Sequence, residues 1–237
     1  MSVIDTVSLM KMQVDVLFTL DAAGRLRHVN EPERPEAPRF FLGRTPQGNV
    51  WRCRYDLPPD VVQDLDCVEA DEPVATVLDG GPPAGADRVI ALLEMLAPVR
   101  DGWRGPAYAF PDARLIVRST PTEAVTARNA ALLQGDFARL RAFLDKNQPC
   151  LAVVVDGAAV SVCHAARRSV RAAEAGLETR EAYRGKGYAL AATAAWAAAV
   201  HGAGLQPLYS TSWDNKASQA VARRLGLVQY GEDWDVT

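Results

Sequence analysis

The chain has 237 residues, 49% of them apolar and 23% charged, and its 26 basic and 29 acidic side chains leave a net charge of −3. That is the composition of a soluble globular protein with a buried core, long enough for one large domain or two ordinary ones. It gives no bulk basic charge, so neither nucleic acid nor an anionic membrane is expected as a partner.

From the N-terminus, residues 14–20 are apolar and β-branched and predict a strand, with a turn at 21–24 and a return strand over 25–29. Three prolines and three glutamates mark 31–38 as a loop. A second hairpin is predicted from 40–42 to 50–55. Helices are predicted over 59–65 and 88–96, where Val89, Leu92, Leu93 and Leu96 make one apolar face. Residues 101–112 hold two glycines, two prolines and three aromatics and read as an ordered loop joining two halves, 1–112 and 113–237. A strand is predicted over 115–118, then a helix capped by Thr120 or Thr122 with Pro121 in its first turn. A helical stretch over 133–144 follows.

Beyond Cys150 the pattern sharpens. Strands at 151–155 and 158–164 flank the turn Asp156-Gly157, and a further strand covers 172–179. A long alanine-rich helix runs to His201. A strand from Pro207 to Trp213 leads to a helix capped by Asp214 or Asn215, and short strands at 228–230 and 234–236 end the chain. The fold class is α+β, with a mixed, mostly antiparallel sheet flanked by helices in the C-terminal half and a smaller α+β region before it.

Arg184, Gly185, Lys186, Gly187, Tyr188 and Ala189 stand between a strand and a helix. The first turn of a helix leaves N–H groups without partners, and these with the helix dipole attract anions. Glycines at 185 and 187 let the backbone curl closely around a phosphate, and Arg184 and Lys186 add positive charge. Leu190 stands where a dinucleotide GxGxxG loop needs its third glycine, and no Walker sequence is present.

This segment resembles the pyrophosphate signature of the GCN5-related N-acetyltransferases (GNAT superfamily): Arg184, Gly187 and Ala189 match it in register. A second block, Ser212 to Ser218 with Val221 and Arg224 to Leu227, resembles the helix and strand that line the coenzyme's pantetheine arm. The resemblance covers about residues 118–237. It implies an acetyl-CoA-dependent N-acetyltransferase, acetyl-CoA being a co-substrate, that acts on a small-molecule or peptide amine by direct attack in a ternary complex. The alternative is a coenzyme A-binding module or sensor without catalysis. Coenzyme contacts are expected from Leu177, Thr179, Arg184, Gly185, Lys186, Gly187, Tyr188, Ala189, Asn215 and Ser218.

In the family the strand before the phosphate loop often supplies a carboxylate. Glu174 and Glu178 lie four apart on one face of that strand; Glu174 is the first choice of base, Glu178 the second, and His164 a lower one. Many relatives carry a tyrosine seven residues after the asparagine at 215, a phenol that serves as general acid. Here that residue is Ala222, which leaves Tyr209, Ser210, Ser212 or water to protonate the thiolate. Trp103, Tyr108, Trp213 and Trp234 are candidate acceptor contacts. The N-terminal region either completes the acceptor pocket or makes an interface, which leaves a homodimer open. Four scattered cysteines without a CxxC pair read as free thiols and give no metal site. Without a leader-like N-terminus or a membrane-length apolar run, the expected location is cytoplasmic.

Overall fold

The computed structural model describes residues 5–111 and 120–237, so the strand predicted over 115–118 lies outside the described residues. Helix α1 (Thr6–Leu17) opens the described chain, with Asp5 as N-cap accepting a hydrogen bond from the N–H of Ser8. It replaces most of the strand predicted over 14–20. Leu9, Met10, Gln13, Val14, Val16 and Leu17 are all buried, and this helical face on the sheet overrides the β preference of the valines. A small hairpin of β1 (Phe18–Leu20) and β2 (Leu26–Val29) follows, then β3 (Phe40–Thr45) and β4 (Gly48–Cys53). Helices α2 (Pro59–Ala70) and α3 (Ala86–Glu94) form where the sequence places them.

The described part of the segment read as a loop, 101–111, is not one. It supplies β5 (Gly102–Ala109), near the centre of the main sheet. The glycine that makes the segment look irregular is what lets it fit there. A Cβ on Gly105 would stand 1.9 Å from the carbonyl oxygen of Thr211.

The short β6 (Glu123–Ala124) stands where a capped helix was expected after Thr120, and the helical stretch at 133–144 is reduced to a 3-10 turn and α4 (Ala138–Ala142). Strands β7 (Cys150–Val155), β8 (Ala158–Arg168) and β9 (Ala172–Thr179) form a meander. Helix α5 (Tyr188–Gly202), β10 (Gln206–Ser210), α6 (Lys216–Arg224) and β11 (Val228–Val236) complete the chain. The two short strands expected at the end are one strand, continued through an irregularity between Gln229 and Gly231.

The nine-stranded sheet has the order β4-β3-β11-β5-β10-β9-β8-β7-β6, so strands from both sides of residue 112 share it. All its described pairs are antiparallel except β9 with β10. The parallel pairing is short: Gln206, Pro207 and Leu208 face Ala172, Ala173 and Glu174, and there it stops. Helix α1 covers one face with Val14, Leu17, Phe41 and Tyr230 in its core. Helix α5 covers the other, where Trp196 is fully buried beside Ala173, Tyr209 and Ala222. Among the described residues, no helix is long and apolar enough to cross a membrane.

Gly105→Ala tests the crowding at the sheet centre. The backbone of Thr211 cannot yield as a flexible side chain would, so the variant should lose roughly 1–3 kcal/mol in urea unfolding. Unchanged stability would contradict the close crossing.

Candidate functional site

Two cavities lie where β9 and β10 part. After Leu208, strand β10 keeps its pairing with β5, and the chain stays on β5 through bonds from the N–H groups of Thr211 and Trp213 to the carbonyls of Pro106 and Arg104. Strand β9 continues from Ala175 to Thr179 with only β8 beside it. Its free edge faces a gap.

The first cavity, of about 680 Å³, lies on this gap and is bounded by β9, the phosphate loop and α6. Gly185 and Gly187 have φ of +76° and +85°, the left-handed region that glycine enters without strain. Gly187 is the N-cap of α5 and brings no side-chain capping bond. Among the described residues, the N–H groups of 185–190 donate no hydrogen bond. A Cβ on either glycine would meet nothing within 4 Å, so the loop opens onto free space. This geometry suits an anion.

Leu177, Thr179, Arg184, Gly185, Gly187, Tyr188, Ala189, Asn215 and Ser218 all line this cavity. Lys186 does not; its ammonium sits over the ring of Tyr183, 4.8 Å from the centroid. Arg180, Arg224 and Phe137 line it too. Arg180, which precedes the first motif, was missed by sequence reasoning, and Arg224, part of the second block, was not named as a coenzyme contact; both bring cationic charge to this cavity.

The second cavity, of about 540 Å³, is bounded by Glu174, Ser210, Asp233 and Asp235 and by the end of α1. Asn215 lines both cavities. It caps α6 by accepting from the N–H of Ser218 at 3.0 Å. Glu174 is 2% exposed. Its Oε1 accepts from Gln13 Nε2 at 3.1 Å and from the Ser210 hydroxyl, and its Oε2 accepts from Arg167 at 2.8 Å. Arg167 also pairs with Glu31. Gln13 in turn donates to Asp233 at 3.2 Å and accepts from the Tyr230 hydroxyl at 3.1 Å. Burial first, and the charge of Glu174 second, hold the carboxyl of Asp233 well above the usual range. Burial likewise raises Asp235 to about 6.

Glu178 shares the strand face with Glu174 but lines the first cavity, not the second. Burial first, then the charge of Asp136, raises its pKa. His164 packs against Gly176, where a Cβ would stand 2.7 Å from its ring, and burial lowers its pKa to about 4. It lines neither cavity. Of the aromatics, Trp103 lines the second cavity. Tyr108 packs edge-on to Tyr209, Trp234 packs on Phe40, and the Trp213 ring lies against Gly80.

The sequence profile of the family described as GNAT acetyltransferase matches residues 117–234. The C-terminal half of the chain belongs to the GNAT superfamily. One solved structure shares the fold, and two more align at lower scores. A Drosophila protein aligns with a TM-score of 0.51 at 15% identity over 84% of this chain and 74% of its own. A GNAT-family acetyltransferase from Colwellia psychrerythraea aligns over 100% and 98% of the two chains, with 13% identity and a TM-score of 0.49. A GNAT-family protein from Novosphingobium aromaticivorans aligns with a TM-score of 0.45 and 15% identity over 58% of this chain, which spans 65% of that relative's length. No curated protein matches the chain in sequence. The GNAT fold is that of acetyl-CoA-dependent acyl transfer and carries a site for the coenzyme. The first cavity fits such a group: free N–H donors for a pyrophosphate, three arginines, and an unpaired strand edge for an amide-bearing arm.

Gly187→Ala keeps the open space and penalises only the left-handed backbone, by about 1–2 kcal/mol. Calorimetry should show coenzyme A binding weakened about tenfold, the equivalent of about 1.4 kcal/mol. Unaltered affinity in a folded variant would remove the phosphates from this loop.

Proposed function

We propose that the protein is an N-acetyltransferase that passes the acetyl group of acetyl-CoA directly to an amine held in the second cavity. One observation carries the reading: Asn215 lines both the cradle-bearing cavity and the carboxylate-bearing cavity, and β9 lines both as well. A thioester extended along the free edge of β9 reaches the gap between β9 and β10 from one side, and an amine reaches it from the other. Holding both in line removes most of the entropic barrier to a bimolecular attack.

The amine nitrogen gives its lone pair to the carbonyl carbon, the C–S bond breaks, and its electron pair leaves on sulfur. The nitrogen must also lose a proton. Ser210 lines the second cavity and its hydroxyl is bonded to Glu174. It takes the proton from nitrogen as it passes its own to Glu174, so the carboxylate acts as general base while remaining buried. Arg167 fixes the other carboxylate oxygen.

Ala222 is buried and offers no phenol to the leaving thiolate. On the coenzyme side the chain has Tyr209, whose hydroxyl lies 2.6 Å from Ser218 Oγ, and Ser218 lines the first cavity. Burial raises Tyr209 to about 12, so the phenol stays protonated and able to donate.

A panel of amines assayed with acetyl-CoA for released thiol tests the reading. With an active amine, Glu174→Gln and Ser210→Ala should each lower kcat/KM by roughly 10²-fold, with coenzyme affinity unchanged. Coenzyme binding without transfer to any amine would support a binding module instead. Wild-type kcat/KM in both variants would remove Glu174 and Ser210 from the proton path.

A further inference from the structure

The second cavity carries more carboxyl groups than the transfer reaction uses. Arg167 is the one cation among its described lining residues, and it is committed to Glu174 and Glu31. Glu36 at the rim is paired with Arg54 at 3.1 Å. That leaves Asp233 and Asp235, neither with an ion-pair partner among the described residues. Asp233 is 1% exposed and lines the cavity, and its Oδ1 has no hydrogen-bond partner. A buried carboxyl oxygen left unmatched costs stability unless a ligand completes it.

The surroundings of Asp235 are specific. In the sheet it stands directly between Phe41 on β3 and Trp103 on β5, and cross-strand neighbours project from the same face. All three line the cavity. A carboxylate flanked by two aromatic rings suits an ammonium: the carboxylate supplies countercharge, and the ring faces attract the cation and pack on its methylenes. Leu17 and Phe18 continue the apolar wall. Asp233 and Asp235 are two residues apart on one strand, about 7 Å by strand rise. The inner member is tied through Gln13 to Glu174 and hence to Ser210.

Resting on the transfer reading above, we propose that the acceptor is a diamine. One amine is presented at Ser210 to the thioester. A second, ammonium group is held by Asp235 between Phe41 and Trp103, and a short methylene chain joins them along the apolar wall. Asp233 supplies countercharge between the two ends. The raised pKa values of both aspartates fit this arrangement, because a cation beside them provides the compensation that the protein leaves out. The groups facing Asp235 are Arg167 and Glu174 from the sheet, Asp101 before β5, and Glu36 at the rim. Among these the one cation is already paired.

The experiment compares α,ω-diamines of increasing length with monoamines of matched length, by acetyl transfer and by calorimetry on protein loaded with coenzyme A. We expect kcat/KM to favour a diamine over the monoamine of matched length at least tenfold. In Asp235→Asn the diamine-to-monoamine ratio should fall close to one, and Trp103→Leu should lower it partway. Coenzyme A affinity serves as the check on folding. Equal kcat/KM for diamine and monoamine in the unaltered protein, or a ratio untouched by Asp235→Asn, overturns the proposal. If no amine is acetylated, the transfer reading fails and calorimetry still decides this one. Tighter binding of 1,4-diaminobutane than of butylamine, lost in Asp235→Asn, supports the cation site, and equal binding of the two refutes it.

Discussion

Strand β10 cannot follow both of its neighbours. It pairs with β9 for three residues, then stays with β5, and the chain beyond it stays on β5 as far as Trp213. Gly105 makes this possible by admitting the Thr211 carbonyl where a side chain would stand. The cost is an unpaired edge on β9, a set of N–H and C=O groups that a sheet normally satisfies. Everything proposed about the site depends on that edge, because β9 lines both cavities where it has lost its β10 partner.

The two halves of the chain make different demands of the gap. The C-terminal half brings the anion cradle and α6, built from backbone geometry: two left-handed glycines and a helix start without a side-chain cap. The N-terminal half brings walls and a buried polar network. Gln13 on α1 reaches Glu174, Asp233 and Tyr230 at once, so a helix near the start of the chain fixes carboxyls on β9 and β11. Such a network is rigid only while each member is satisfied. Asp233 Oδ1 is its open end, and Asp233 lines the second cavity.

The parts legible in the sequence were those whose chemistry is local. Arg184 to Ala189 announces its cradle because glycine spacing, charge and a following helix all lie within a few residues, and β9 and the Asn215 cap were equally readable. Strand β5 was not, since Gly102, Gly105 and Pro106 have loop chemistry and their place in the sheet depends on Thr211, a hundred residues away. Helix α1 was misread in part because Val14 and Val16 favour strands until a sheet face is there to cover. Asp233 and Asp235 gave no signal at all. An acidic residue near a chain end reads as solvated, and only the pairing of β11 between β3 and β5 turns these two into the cavity. The placement of Lys186 over Tyr183 likewise follows from loop geometry that its charge does not reveal.

The central claim is that one gap joins the two cavities, and a bisubstrate molecule measures it most directly. Coenzyme A joined through its sulfur and an acetyl bridge to one nitrogen of 1,4-diaminobutane must occupy both cavities at once. If they meet at Asn215, the second contact becomes intramolecular, and the conjugate should bind at least 10²-fold more tightly than coenzyme A in calorimetry. Binding no tighter than coenzyme A itself would mean that the sheet is closed between the cavities, and the account would be wrong.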